Sequence, residues 1–428
     1  MADRGEPAAI TGMGVVTGIG EDLDTFWTSL VGGRSAVRRW PDRDPRHDSR
    51  VGGDMSHFSA VEYLDRRAGR HPAQLLAGAS RLVRGTPRPT SMTMIAALQA
   101  WTDAGLDRGG IAPERVGHVC SAHNTLTAYA AGIEAACREQ PAFVEPMYGI
   151  FGLDTDAVGS VCELLDVRGA SYLVGTACAS GGTAIIAGLD LLRSGRADVV
   201  LVTGAAAVPG PAMLQAWARL GALSIRSFND EPERASRPFD ALREGFVPSE
   251  GAGAVVLERP ELARRRGARV HASVLGGACN SHASRHIRSS QPDQARVMRE
   301  AMLDAGVGPE EVDYVNAHAT STPRGDATEV AAIAAALGRR AREIPVNSTK
   351  SMLGHTLGAA GVIEVVATVL QIGRDVVHPT INQDCPDPAL DLDFVPNQAR
   401  AWRIGVALSN SFGFGGLNNC VVVGRPEW

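Results

Sequence analysis

The sequence predicts an α/β protein made of two similar halves, and three observations carry that prediction. Apolar runs of strand length alternate with Ala/Leu-rich stretches of helical period from one end to the other, the pattern that lays helices against a sheet. The chain has 428 residues, more than one hydrophobic core usually serves. Two short segments also recur in the same order further along. "SYLVGTAC" (171–178) is echoed by "DYVNAH" (313–318), a strand ending on a reactive residue; "GFVPSEGAGAVVLE" (245–258) is echoed by "FGFGGLNNCVVVG" (412–424), a Gly-rich turn feeding an apolar strand. Their shared order places one half at 1–265 and the other at 266–428.

Taken in order, "MIAALQAWTDAGL" (94–106) has the spacing of an amphipathic helix. "SYLVGTA" (171–177) and "ADVVLVTGAAA" (197–207) read as buried strands, and "GGTAIIAGLDLLRSG" (181–195) between them as a helix with a glycine stop. "ARVMREAMLDAGV" (295–307) repeats the character of the first helix. The polar stretches 39–54 and 226–240 read as surface loops.

Bulk properties narrow the function. Net charge is −5 with a pI near 6.1, which argues against a broad basic surface for nucleic acid. No apolar run of about 18 residues suggests a membrane span, and "MADRGEPAAITGMG" lacks the apolar centre of a signal peptide. The seven cysteines are scattered and form no CxxC pair. That pattern argues against a disulfide framework or a zinc site and for a reducing cytoplasm.

Four stretches carry chemistry. In "GTACASGGTAI" (175–185), Cys178 stands between a strand and a helix of small residues. Unpaired N–H groups and the helix dipole there favour thiolate; the alternative is a small core hydrophobe. "VNAHATSTPRGDATE" (315–329) puts His318 at a strand end, with Thr320 and Thr322 following. "NSTKSMLGHTLGAAG" (347–361) puts His355 at a Gly-flanked turn and contains Lys350, the only lysine in the chain. Neutral imidazoles can donate to a carbonyl oxygen that gains charge. A compact ammonium is not replaceable by a planar guanidinium, so Lys350 is suited to orient one imidazole, with Glu329 to hold it. Metal ligation competes as a reading, although the two histidines lack HxxxH spacing and an acidic cluster. In "SNSFGFGGLNN" (409–419), Gly413 and Gly415 let the turn around Phe412 and Phe414 aim an N–H at a ligand or swing an aromatic.

Together with "SRPFDALREGFVPSEGAG" (236–253), these motifs make the chain resemble the β-ketoacyl-[acyl-carrier-protein] synthases, most closely the elongating enzymes of type II fatty-acid and polyketide systems. The resemblance runs from "ITGMGVVTGIG" (10–20) to "CVVV" (420–423). It implies the thiolase-like fold, two duplicated βαβαβαββ halves in an α-β-α-β-α sandwich. It also implies that Cys178 accepts an acyl group from carrier-protein phosphopantetheine, in an oxyanion hole made by the N–H groups of Cys178 and Phe414. His318 and His355 would hold a malonyl thioester while it loses CO2, and Lys350, paired with Glu329, would fix His318. Thr320 and Thr322 would bind phosphopantetheine; Phe414, with Phe412 and Gly413, would gate the acyl pocket. No metal or resident cofactor is implied. The implied partners are an acyl carrier protein and either a second copy or a chain-length-factor-like paralogue. Two rivals remain: a non-catalytic subunit, which typically lacks the nucleophile, and a thioester acyltransferase or decarboxylase using the same cysteine.

Three departures from the family bear on specificity. The usual Gly-rich stretch near the acyl pocket reads "SAHNTLTAYAAG" (121–132), singling out Asn124. The loop opposite the gate reads "CNSHASRHIRSSQP" (279–292), with His282 in place of the usual Asp and Ile287 beyond it. The region that would dock a carrier, 71–92, is extended and offers Arg81, Arg84 and Arg88 to an acidic partner. The departures favour a specialised secondary pathway over housekeeping fatty-acid synthesis.

Overall fold

The computed structural model describes residues 5–40, 47–67 and 69–426. Its centre is a ten-stranded sheet. The first half supplies β1 (Ala8–Thr17), β2 (Val116–Ser121), β3 (Ser171–Val174), β4 (Val199–Ala206) and β5 (Gly251–Glu258). The second supplies β6 (Ala272–Ser281), β7 (Tyr314–Asn316), β8 (Val346–Asn347), β9 (Val406–Gly413) and β10 (Leu417–Gly424). The spatial order is β8-β7-β9-β10-β6-β1-β5-β4-β2-β3. Counted outward from the centre, each half therefore runs first, fifth, fourth, second, third. In each half the two inner pairings are antiparallel and the two outer ones parallel. The halves join where Ala8–Ile10 of β1 pairs antiparallel with Ala272–Val274 of β6.

Six helices complete the duplication: α1 (Arg88–Asp103), α2 (Thr155–Leu165), α3 (Ser180–Arg193), α4 (Gln291–Ala305), α5 (Pro323–Leu337) and α6 (Ala360–Arg374). Each half thus reads βαβαβαββ. Helices α3 and α6 form the middle layer, packed against strands of both halves. Their core, including Ile185, Leu189, Val362, Ile363 and Val366, is fully buried or nearly so. Each such aliphatic side chain contributes roughly 1.5–3 kcal/mol by leaving water. Helices α1 and α2 cover the outer face of the first half, and α4 and α5 that of the second. The stretch Leu357–Arg374 is long and apolar enough to cross a membrane by composition, but it is the middle-layer helix and 83% of it is buried inside the protein.

The small residues at the starts of α3 and α6 have a specific use. A Cβ on Gly181 would lie 2.7 Å from the Val362 nitrogen, and one on Gly361 would lie 2.5 Å from the Gly182 nitrogen. The first turns of the two helices therefore meet backbone to backbone.

Several sequence expectations need correction here. The echo between 245–258 and 412–424 joins equivalent strands, β5 and β10, but the echo between 171–178 and 313–318 does not. The latter pairs β3 with β7, whereas β3 occupies the position of β8 and β7 that of β2; shared chemistry at the strand end stood in for shared topology. Segment 171–174 is an edge strand rather than a buried one, with Tyr172 39% exposed. The stretch 226–240 is a surface loop only in its first part. Arg237 is fully buried, donates to Asp240 Oδ1 (2.9 Å) and lies over the Phe228 ring. Within 39–54, Val37–Arg39 and Val51–Gly53 pair as short strands, and 41–46 lie outside the described residues.

Candidate active site

The nucleophile turn is built between β3 and α3. Ala177 adopts a left-handed φ of 52°, an uncommon conformation for a side-chain-bearing residue. Ser180 holds the turn: its Oγ accepts from the Thr176 N–H (2.8 Å) and donates to the Ala177 carbonyl (2.7 Å). Gly413 at the end of β9 abuts this turn, since a Cβ there would come within 2.7 Å of the Thr176 carbonyl oxygen. The backbone N–H groups of Phe414 and of Cys178 itself are both directed at the Cys178 thiol. These are the two donors an oxyanion at the thioester would need.

The thiol differs from expectation. Burial pushes it up to about 11, against the Lys350 charge and the two N–H donors. Desolvation thus opposes the thiolate that the helix end favours, and the half-buried Cys178 is biased toward the thiol form.

His318 follows β7 and is positioned through its backbone. The Glu329 carboxylate, 1% exposed, accepts from the N–H groups of His318 (2.8 Å) and Ala319 (2.7 Å) and from Asn410 Nδ2 (3.1 Å). Burial raises Glu329 to about 7, with those donors opposing. Lys350 does not use Glu329 as its ion-pair partner, contrary to the sequence reading. Its Nζ forms a buried ion pair with Glu364 of α6, each residue being 2% exposed. Burial also raises the Glu364 carboxyl, with the ammonium opposing. The reason is geometric: α6 brings Glu364, an acid in an otherwise apolar stretch, against Lys350.

His355 follows Gly354, whose φ of 75° turns the chain. Its N–H donates to the Val247 carbonyl (2.7 Å), and its carbonyl accepts from the Ser249 N–H (3.0 Å). The His318 and His355 rings stand edge to face, 5.4 Å apart at 84°. Burial, with the Lys350 charge, drives both imidazoles well below their ordinary range, so both are neutral. Both ring nitrogens of His355 and Nδ1 of His318 are buried with no hydrogen-bond partner among the described residues.

Aromatic side chains close the chamber. Phe412 lies 5.9 Å from the His318 ring, and Phe246 lies 5.5 Å from His355 and 6.4 Å from Phe414. Phe414 belongs to an apolar wall with Leu214, Leu223 and Leu357. Gly415 and Gly416, at φ 80° and 76°, complete the turn beside it. The hydroxyls of Thr320 and Thr322 are 3.2 Å apart at the start of α5.

Other singled-out residues fall elsewhere. Asn124 is exposed, its N–H bonded to Asp154 (2.6 Å); its neighbour His123 instead reaches the site, with Nδ1 3.5 Å from Ser180 Oγ. Ile287 is 45% exposed, although its loop does face the gate: the His282 N–H donates to the Gly416 carbonyl (3.1 Å). Arg88 is committed to the buried Glu250 (2.6 Å), and Arg81 pairs with Glu163 (3.0 Å) on the surface. Ser180, Asn410, Phe246, Glu364 and His123 were all missed, because their roles depend on contacts between distant segments.

Comparison with known proteins agrees with this geometry. The model of the β-ketoacyl synthase N-terminal domain matches residues 5–263, and that of the C-terminal domain matches residues 271–384. The chain is 37% identical over 420 residues to 3-oxoacyl-[acyl-carrier-protein] synthase 2 of Synechocystis, covering 96% of this chain and 95% of that one. Among solved structures it resembles a type II polyketide-synthase ketosynthase in complex with its acyl-carrier protein and bound to the hexaketide (TM-score 0.85, 30% identity, 98% and 99% coverage). It also resembles the ishigamide ketosynthase/chain length factor (TM-score 0.87, 29% identity, 98% and 99% coverage).

Proposed function

The chain belongs to the β-ketoacyl synthase family, and from that premise we propose that it joins an acyl group on Cys178 to a malonyl unit delivered by an acyl carrier protein. The carrying observation is the pair of neutral imidazoles, 5.4 Å apart, flanked by Phe412 and Phe246, with Phe412 next to the glycine pressed on the nucleophile turn. In loading, the Cys178 sulfur attacks the thioester carbonyl, the Phe414 and Cys178 N–H groups hold the oxyanion, and the departing phosphopantetheine sulfur takes up the thiol proton. The malonyl thioester then loses CO2. Its electron pair is held as an enolate whose oxygen accepts from His318 and His355. The enolate carbon attacks the acyl-Cys carbonyl, forming one C–C bond and breaking the C–S bond. Cys178 leaves as thiolate and regains a proton from solvent. Neutral imidazoles suit this step, because each offers an N–H without placing a cation beside the malonyl carboxylate. Burial, with the charge of the Glu364-paired Lys350, keeps them neutral, while Glu329 fixes the His318 backbone.

A second subunit is part of the reading. Strand β3 leaves an open sheet edge, and Phe143, Ile150 and Leu153 nearby in sequence are 82%, 55% and 56% exposed. A free sheet edge and exposed apolar surface each call for a covering chain. The occupant is a second copy or a chain-length-factor-like paralogue, and the cytoplasm is the compartment that fits the free cysteines.

The test is intact-mass labelling with acyl-carrier and CO2 release from malonyl-carrier. Cys178→Ala should lose the acyl adduct. His318→Ala and His355→Ala should each keep it and lose decarboxylation by roughly 100-fold or more, the scale for one oxyanion donor. Normal decarboxylation in both histidine variants would show the pair to be structural.

A further inference from the structure

His123 is not used by the mechanism above, yet it is wedged among the segments that carry the nucleophile and the second imidazole. Its Nδ1 lies 3.5 Å from Ser180 Oγ. A Cβ on Gly358 would lie 3.5 Å from the same Nδ1, and a Cβ on Gly175 would lie 3.6 Å from the His123 Cβ. Gly175 and Ser180 bracket Cys178, while Gly358 follows Leu357, part of the apolar wall around Phe414. His123 therefore puts a ring where the nucleophile turn meets that wall.

The hydrogen bonds set its tautomer. Ser180 commits its O–H proton to the Ala177 carbonyl at 2.7 Å, so toward His123 its oxygen can only accept. The imidazole must then donate from Nδ1, which leaves Nε2 as a lone-pair acceptor when the ring is neutral. Partial burial lowers the ring's affinity for a proton, with Asp154 opposing, and this keeps the acceptor available at neutral pH. A saturated alkyl chain cannot satisfy that nitrogen, whereas a hydroxyl or enol can. A half-buried acceptor left unpaired is penalised, and sites built this way discriminate against the analogue that lacks the donor.

Resting on the condensing-enzyme reading, we infer that His123 determines specificity. It favours acyl thioesters bearing a hydroxyl or enol near the carbonyl over saturated alkyl thioesters. The test is competitive loading of Cys178 on the full-length chain with pantetheine thioesters of hexanoate and 3-hydroxyhexanoate, read by intact mass. The parent chain should prefer the hydroxylated thioester. His123→Leu should shift the ratio toward hexanoate by about 10-fold or more, and His123→Asn, which keeps a hydrogen-bonding end, should shift it less. Alkylation of Cys178 by iodoacetamide monitors the turn. An unchanged ratio in His123→Leu overturns the inference. So does an equal slowing of both thioesters together with slower alkylation, because His123 would then only prop Ser180. Failure of both thioesters to label the parent chain would overturn the condensing-enzyme reading itself, and this inference with it.

Discussion

Replacing Lys350 by arginine keeps the charge and changes only the shape, which isolates what the ammonium does. Lys350 is 2% exposed, and its neighbours Ser348, Thr349, Ser351 and Met352 are fully buried. A surface lysine would accept the exchange within about 0.5 kcal/mol. Here the wider guanidinium enters a packed volume, for which overpacking costs about 1–3 kcal/mol. Fold and ion pair should survive, because Glu364 still faces a cation and no buried charge is left alone. Catalysis is more sensitive. The Lys350 charge acts on Cys178, His318 and His355 together, and displacement of one imidazole by roughly 1 Å can cost on the order of 100-fold in rate. Lys350→Arg should therefore melt close to the parent, accept an acyl group on Cys178, and release CO2 from malonyl-carrier about 100-fold more slowly. Circular dichroism, intact mass and radiolabelled CO2 capture measure these separately. Parental condensation rates would show that the shape of this cation is irrelevant, and the account of the Lys350–Glu364 pair would be wrong.

Two other outcomes test different parts of the structure. His118 is fully buried on β2, with Nε2 2.8 Å from Thr203 Oγ1 and its affinity for protons depressed by burial to about 4 from 6.5. Between pH 6.5 and 4 the unfolded chain takes up a proton that the folded chain refuses, so stability is lost as pH falls through that window, about 3 kcal/mol in all. His118→Gln should flatten the urea-midpoint profile there, and a slope identical to the parent's would refute the assignment. Ile150→Glu combined with Leu153→Glu should place charge on this exposed apolar surface and convert the assembly to monomers in sedimentation equilibrium; an unaltered oligomer would place the subunit contact elsewhere.

Much of this was legible in the chain because local signals agreed with the global fold. Cys178 between a strand and small residues, the histidines at strand and turn ends, and the glycines around Phe414 are all short-range patterns. What escaped was long-range. The partner of Lys350 is 14 residues away on α6, and its identity depends on how that helix crosses the segment behind the site. The thiol's protonation depends on the burial of Cys178, which no local motif reports. The sequence points to Asn124, one residue away from His123. The alternation of side chains on a turn at φ 56° is not set by strand or helix period, so the sequence could not say which of the two faced inward.

The backbone contact between α3 and α6 has an evolutionary consequence. A single βαβαβαββ unit, paired with a copy of itself about the same axis, would bring together two identical helix starts and hence two identical sets of side chains. Fusion into one polypeptide lets the two starts diverge while they stay paired. Two residues before the first helical residue, one half carries Cys178 and the other Gly358. The thiol thus has a counterpart position emptied of side chain, and the ancestral symmetry is broken at the spot where one nucleophile is wanted rather than two.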